Sequence, residues 1–407
     1  MASDREVLRG LAARWMEIAA RPVMPERARL WGALKDLRGE RPMVLFETWS
    51  LEHYVDGNEL ECTDPQWRNV EWHMRHVIRH AEEVGDDMVV EPVWRMGWHV
   101  RGTGYGVEIR SEHATDSQGG CVGYRFNHPI STPDDVAKLV PQAWTVEREA
   151  SERDAARADD LFGDILPVSL CGATSIHAGL TGDCFRLIGN DNLLTWVYDA
   201  PEAVDRVMAY LADDRIRYHA FLEQQGLLAL NNNTTHVGSG SPGYTSVLPA
   251  ADYAGRARRK DMWFWMESQE TTAISPRMFA SRFLPHMAAA AGPFGLVYYG
   301  CCEPVHDRWD AIRAAIPQVR AVSVSPWCDM PLLASKIGKE VVFSRKPTPA
   351  PISGPSPDWE VLESDARATL AAASDCNLEF VFRDVYRIGD RERLAKWVAM
   401  VRRLSGE

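Results

Sequence analysis

The sequence has no excess of positive charge: 45 Lys and Arg residues stand against 57 Asp and Glu in 407 residues, for a formal net charge of −12. With an isoelectric point near 5.5 and no long Lys/Arg block, it lacks any general attraction for phosphate backbones or anionic headgroups. Nucleic acid and membrane surfaces are therefore not expected partners. Nor does any uninterrupted apolar run approach the roughly 20 residues that a membrane-spanning helix needs. The opening stretch, MASDREVLRGLAARW, carries acids and no apolar core ahead of a small-residue cleavage site. No signal peptide is expected, and the expected location is the cytoplasm.

Several catalytic signatures are also missing. No GxSxG elbow, Walker A loop or EF-hand loop occurs, which removes most support for serine-hydrolase and phosphoryl-transfer chemistry. The only glycine-rich run beside a strand pattern, Gly102, Gly104 and Gly106 in HVRGTGYGVEIR, is flanked by alternating residues and predicts a hairpin turn rather than a phosphate loop. Eight cysteines without an export signal do not make a disulfide framework. Cys62, Cys121, Cys184 and Cys376 stand singly and read as structural, whereas Cys171, Cys301, Cys302 and Cys328 fall where strand patterns end.

What is present is ordinary globular composition, 45% hydrophobic and 25% charged, arranged as short β-rich runs alternating with amphipathic stretches. The β-rich runs are 43–48, 88–94, 165–170, 227–233, 262–267, 295–300, 321–325, 340–344 and 378–382. Helical spacing marks 66–84, 201–225, 276–290, 329–336, 358–373 and 390–404. Strand–helix repetition of this kind predicts an α/β fold with a helix-covered parallel sheet, a single (β/α)8 TIM barrel spanning 1–407. Nine candidate strands are one too many for that barrel, and 227–233 or 262–267 is the expected surplus. Residues 95–130 break the rhythm with Gly, Ser and alternating β-branched residues, so an antiparallel hairpin insertion is expected there as part of a lid. The proline-rich stretch 346–357 reads as a long loop within the domain rather than a boundary.

In such a barrel catalytic groups gather at the carboxyl ends of the strands. The residues standing there are Glu47, Glu91, Cys171 with His177, Asn231 to Asn233 with His236, Glu267 and Glu270, Cys301 and Cys302, Cys328, Arg345 and Asp384. Thiolate, imidazole and carboxylate from different strands are the donor types that build an open zinc site. Cys301, Cys302, Cys328 and Glu270 are the candidate metal ligands. Adjacent residues on an extended strand face opposite ways, so one of Cys301 and Cys302 is the expected ligand and the other a packing residue. Glu267 and Glu270 in ESQE are candidate ligands or general bases, with exposed loop carboxylates as the alternative. His73, His76 and His80 share one face of helix 66–84, but no HExxH glutamate accompanies them, which favours a solvated or internally satisfied face. Glu47, Trp94, His177, His236, Tyr299 and Trp327 are the candidate substrate contacts. Trp49, Trp94, Trp98, Tyr105, Tyr244 and Trp327 suggest an aromatic pocket for a flat or methoxylated substrate.

The order of residues in the C-terminal half carries a resemblance. ESQETTAISPRMF, then FGLVYYGCCEPVHDRWDAIRAAIPQVRAVSVSPWCDMPLLASKIGKEVVFSRKPTP, then LEFVFRDVYRIGDRERLAKWV resembles the uroporphyrinogen decarboxylase superfamily from about residue 260 to the end. CGATSIHAGLTG (171–182) is loosely similar to that superfamily's third-strand turn. The resemblance implies a (β/α)8 barrel and either of two chemistries, porphyrinogen decarboxylation or zinc-dependent, corrinoid-linked methyl transfer. Cobalamin-independent methionine synthase is a distant relative. The decarboxylases carry an arginine-rich segment after the first strand, where this sequence has FETWSLEHY (46–54). The methyltransferases carry a His-x-Cys after the sixth strand, where this sequence has Tyr299-Gly300-Cys301-Cys302, and a second Cys near the last strand, where it has Arg383 and Asp384.

The leading expectation is a zinc-dependent methyltransferase, or demethylase, moving a methyl group between a small methylated substrate and a corrinoid or thiol acceptor. Cys301 or Cys302 would be the principal ligand, Glu270 a second ligand or base, Arg345 an anchor for an anionic group, and Glu267, His306 and Cys328 further donors. The alternative is a metal-independent decarboxylase in which Arg345 and Arg383 hold a carboxylate while Asp384 or Glu270 handles the proton. A barrel that only binds a ligand is the third possibility. A corrinoid protein and a second copy of the chain are the candidate partners.

Overall fold

The computed structural model describes residues 3–115 and 121–407. Its strands, in chain order, are β1 (Met43–Phe46), β2 (Trp94–Gly97), β3 (Val100–Gly102), β4 (Ser111–Thr115), β5 (Cys121–Phe126), β6 (Trp144–Val146), β7 (Val168–Cys171) and β8 (His177–Ala178). They continue as β9 (His236–Gly238), β10 (Ser241–Pro242), β11 (Trp263–Met266), β12 (Leu296–Tyr299), β13 (Val319–Val324), β14 (Val342–Arg345) and β15 (Asn377–Phe382). Seven of them form one sheet in the order β1-β15-β14-β13-β12-β11-β8, with every pairing parallel. The first and last strands of the chain are thus neighbours, as in a sheet that curls toward closure. The two faces are sorted by the period of two along each strand. Met43, Leu45, Trp263, Leu296, Tyr298, Ala321, Val342 and Val381 pack together on the inner face. Val44, Phe46, Phe264, Met266, Val297, Tyr299, Phe343, Phe380 and Phe382 pack outward against the helices.

The ring of strands is incomplete at two places, and at each a polar side chain stands in for backbone pairing. Beside β1, residues 88–93 are not a strand: Pro92 has no N–H to give a ladder, and the Met88 and Val90 N–H groups go to Asp86 Oδ1 and the Met24 sulfur. The Asp86 and Asp87 carboxylates instead accept the Phe46 and Val44 N–H groups, each at 2.8 Å, and the chain resumes as β2, parallel to β7. The second place is the expected strand 227–233, which makes a single parallel bridge between Leu228 and Ala173. Three consecutive asparagines disfavour a longer ladder. Asn231 spans the gap with its amide, donating to the Thr174 and Trp263 carbonyls at 2.9 and 3.0 Å and accepting the Trp263 N–H at 2.9 Å. Of the two runs in question, 262–267 supplies a full strand and 227–233 does not.

The 95–130 excursion contains antiparallel pairing, β4 with β5, although residues 116–120 lie outside the described residues. The expected turn at Gly102 to Gly106 is not a hairpin: β3 pairs antiparallel with β6, some forty residues further on. A Cβ at Gly102 would lie 2.9 Å from the Gln142 side chain and 3.2 Å from Trp144, so the close approach of that distant strand is what requires glycine.

The helical expectations hold at Pro65–Glu83, Pro201–Gln225, Met330–Ile337, Trp359–Ala372 and Glu392–Leu404. The 276–290 stretch is broken into Pro276–Arg282 and Leu284–Ala291, where Pro285 enters the first turn of the second helix. Helix Val23–Lys35 lies beside β1 and β15 and sends Lys35 into the interior. Among the described residues no helix is long and apolar enough to cross a membrane.

Candidate active site

Continuing the inward alternation past each strand end brings Glu47 after β1, Glu267 after β11, Lys346 after β14 and Arg383 after β15 to one level of the interior. Gly300 adds the fifth contribution. Its φ of +95° turns the backbone sharply after β12, and a bend rather than an extended strand carries the two cysteines that follow. The Cys301 and Cys302 sulfurs consequently sit together, 3.6 Å apart, instead of facing opposite sides as an extended strand would require.

Cys301 is embedded in donors. Its sulfur lies 3.7 Å from the Ser239 hydroxyl, which in turn accepts Arg383 Nη1 at 2.8 Å. The Cys302 thiol, and after it the Arg383 charge, lower the Cys301 pKa from 9.0 despite the opposing effect of burial. Cys302 shifts the other way, its pKa raised by its hydrogen bond with Cys301 and by burial. Asp384 completes this side, with Oδ2 at 3.9 Å from the Cys302 sulfur and Oδ1 at 3.4 Å from Arg383 Nε. Asp384 has φ +61°, a left-handed conformation that Asp adopts more readily than most residues other than glycine.

Carboxylates form the other wall. Glu267 is buried, and its pKa is raised well above 4.5 by burial and by the nearby charges of Glu270 and Glu303. It therefore holds a proton where an ordinary carboxyl does not. Its Oε1 lies 3.9 Å from His177 Nε2, and the His177 ring stacks on Trp265 at 4.1 Å. Burial lowers the His177 pKa to about 4, so that imidazole is neutral. Glu303, which the sequence reading did not single out, accepts the Ser268 and Cys301 N–H groups at 2.7 and 3.0 Å and fixes the bend. Burial raises its pKa as well. Glu270 accepts the Thr181 hydroxyl at 2.6 Å at the start of helix Leu180–Asp199. Glu47 is buried, accepts the Trp49 N–H at 2.7 Å, and has its pKa raised by burial while Arg383 opposes the shift.

Lys346 was also missed. Its Nζ bonds Ser344 Oγ at 2.6 Å, and burial lowers its pKa to about 7. The nearest acid, Glu379, is already 2.6 Å from Lys35 Nζ.

Other expected residues lie elsewhere. Arg345 faces outward: Nη1 donates to the Val324 and Ser325 carbonyls and Nη2 to Asp365 at 2.5 Å, so it ties strands to helix Trp359–Ala372. Tyr299 is wholly buried on the outer face with its hydroxyl 2.9 Å from Ser268 Oγ, while Tyr298 points inward. Cys328 is in the outer core, bonded to the Val305 N–H at 3.4 Å and to the Ser325 hydroxyl. The His306 ring accepts the Asp329 N–H. Trp327 is 66% exposed. His76 and His80 bond Thr48 at 2.8 and 2.9 Å, and His80 also reaches Asp86 at 2.9 Å, which satisfies both His80 nitrogens but leaves His76 Nδ1 buried without a partner among the described residues. Trp94 and His236 line a cavity of about 400 Å³ beside the gap next to β1.

A zinc site with an open position needs three protein ligands. The two sulfurs supply a pair at one place, but among the described residues no three His, Cys, Asp or Glu side chains converge to hold an ion. Among the described residues the donor set does not fit such a site.

No family model matches the chain, and no curated protein matches it. Among solved structures it is similar to a methyltransferase from Methanosarcina mazei, at 12% identity and a TM-score of 0.49, over 92% of this chain and 97% of that one.

Proposed function

We propose that the protein is a methyl-transfer enzyme whose working pair is the Cys301 thiolate and the protonated carboxyl of Glu267. The observation that carries this reading is the opposite tuning of two groups at one level of the interior. Cys301 is held toward its anion by Cys302 and Arg383, and Glu267 is held toward its acid by burial and two neighbouring glutamates. A soft anion and a neutral acid are what removal of a methyl group from oxygen or nitrogen requires. The sulfur lone pair attacks the methyl carbon and an S–C bond forms. The C–O or C–N bond breaks with its electron pair going to the heteroatom, which takes the Glu267 proton and leaves as an alcohol or amine. A thiol or corrinoid acceptor would then take the methyl group from sulfur. The resemblance of residues 260–407 to a superfamily that includes methyltransferases supports the same reading.

The decarboxylase reading is weaker, because it needs Arg345 beside Arg383 to hold a carboxylate, and Arg345 is spent on Asp365 and two strand carbonyls. The test is incubation with methyl-labelled aryl ethers and methylated amines. Mass spectrometry of the 301–302 peptide is paired with a count of label passed to cob(I)alamin or a thiol, and zinc is measured on the same preparation. Label on Cys301 that is absent in Glu267→Gln supports the reading. Turnover that survives Cys301→Ser sinks it.

A further inference from the structure

The cavity of about 400 Å³ beside β1 falls within the roughly 300–1,000 Å³ of ordinary small-molecule sites. We infer that it binds a planar aromatic ligand bearing hydrogen-bond acceptors, and excludes aromatic cations. This names a substrate class for the reading above and rests on it only in calling that ligand a substrate.

One wall is a run of rings. Trp94 meets His73 edge to face at 5.1 Å, His73 meets Trp49 at 5.0 Å, and Trp49 lies flat on His76 at 3.9 Å and 2°. Aromatic rings add attraction for another ring beyond the area they bury. Ring-lined cavities also suit cations, so charge decides between the two ligand types, and here both acids of the cavity are already paired. Glu91 is ion-paired with Arg95 at 2.6 Å and accepts the Thr234 and Tyr244 hydroxyls at 3.1 and 3.3 Å. Asp87 accepts Arg41 at 2.7 Å, Arg402 at 2.8 Å and the Val44 N–H at 2.8 Å. A cationic ligand would find no unpaired carboxylate. Burial lowers the pKa of His73 and takes that of His236 to about 4, so neither imidazole adds charge at neutral pH. The other charged or donating groups of the lining include the indole N–H groups of Trp49 and Trp94 and the Arg95 guanidinium. Donors in a ring-lined space favour a ligand with ether, carbonyl or carboxylate oxygen. The cavity is linked to the thiol through one hairpin, in which His236 lines the cavity and Ser239 touches Cys301.

The probes are 4-methoxybenzoate, benzoate and benzyltrimethylammonium, titrated into the full chain and read by tryptophan fluorescence and calorimetry. Benzoate has no transferable methyl group, so its binding is measured independently of any transfer. Both benzoates are expected to bind and the cation not to. Trp49→Ala, at a residue that is 37% exposed, is expected to weaken benzoate binding about threefold to tenfold, with folding of the variant checked by circular dichroism and cooperative melting. Arg95→Gln releases Glu91 and is expected to reverse the preference, admitting the cation and rejecting benzoate. Absence of benzoate binding, tighter binding of the cation to the wild type, or benzoate binding untouched by both substitutions overturns the inference. Methyl transfer from a non-aromatic donor without benzoate binding would overturn it and leave the function standing. Benzoate binding without any transfer would do the reverse.

Discussion

The sulfurs of Cys301 and Cys302 lie 3.6 Å apart and are tuned in opposite directions, Cys301 below the ordinary thiol value and Cys302 above it. Alkylation by iodoacetamide follows the thiolate, so Cys301 is expected to reach half its maximal rate below pH 9.0, the ordinary thiol value. Cys302 is expected to stay unreactive over the same range. Fragment-ion mass spectrometry separates the neighbours. Because the Cys302 hydrogen bond is the largest influence, Cys302→Ala should move the midpoint upward further than Cys302→Ser, which keeps a donor. Arg383→Met should also move it upward. A midpoint unchanged in all three would sink this account of the thiolate.

Glu267 carries the opposite perturbation, and its sign fixes how stability depends on pH. With the folded pKa raised well above 4.5, the native state holds a proton that the unfolded chain releases as pH climbs past 4.5. Stability from this group therefore falls with rising pH. Glu267→Gln removes that loss. The variant is expected to be more stable than wild type at neutral pH, with the difference vanishing toward pH 4, while methyl transfer drops by about 100-fold or more. Denaturant titrations at several pH values and single-turnover assays read the two effects separately. A variant that is less stable at neutral pH would contradict the protonated state.

The alternation of helices and parallel strands is legible in the sequence because apolar periodicity records it, and five of the six expected helical stretches fall within two or three residues of a helix, while Asp4–Ala19, Val23–Lys35 and Leu180–Asp199 lie outside the expected stretches. The strand-end acids and thiols are legible for the same reason. What escapes is contact across the chain. Glu303 matters because it caps the backbone of Ser268 and Cys301, a role no local pattern announces. The two missing ladders depend on Asp86, Asp87 and Asn231 substituting for backbone groups. The adjacency of Cys301 and Cys302 depends on one positive φ at Gly300. That glycine, directly after the YY of VYYG, was the available sign that the extended-strand rule stops one residue too early to separate the thiols.

Asn231 offers a direct test of side chain replacing strand. It is 1% exposed, and Asn231→Ala removes three hydrogen bonds, leaving the Trp263 N–H unmatched inside the fold. A buried unsatisfied group costs about 1–3 kcal/mol, so a total loss of about 2–4 kcal/mol is expected in denaturant titration. Asn231→Asp is expected to cost as much, since it accepts from Trp263 but repels both carbonyls. A loss under about 1 kcal/mol would mean that the gap is bridged by other means.

Arg345 and Lys346 differ by one position and by one face of the sheet. The guanidinium points out to Asp365 and the amine points in to Ser344, as the alternation Val342, Ser344, Lys346 dictates. Arg345→Ala is therefore expected to lower stability by about 3 kcal/mol, the scale of breaking a buried pair, and to leave the alkylation midpoint of Cys301 where it was. Lys346 gives a different signature. Its folded pKa of about 7 lies below the ordinary 10.5, so between those values the unfolded chain holds the extra proton, and stability rises with pH. Lys346→Met abolishes that rise. Its stabilising effect over wild type is expected to be greatest at about pH 7 and below and to shrink toward pH 10.5, because Glu379 already has Lys35 as its partner and does not need a second cation. Parallel curves for the two proteins across that range would place the charge of Lys346 in a compensated environment, against the geometry of the Lys35–Glu379 pair.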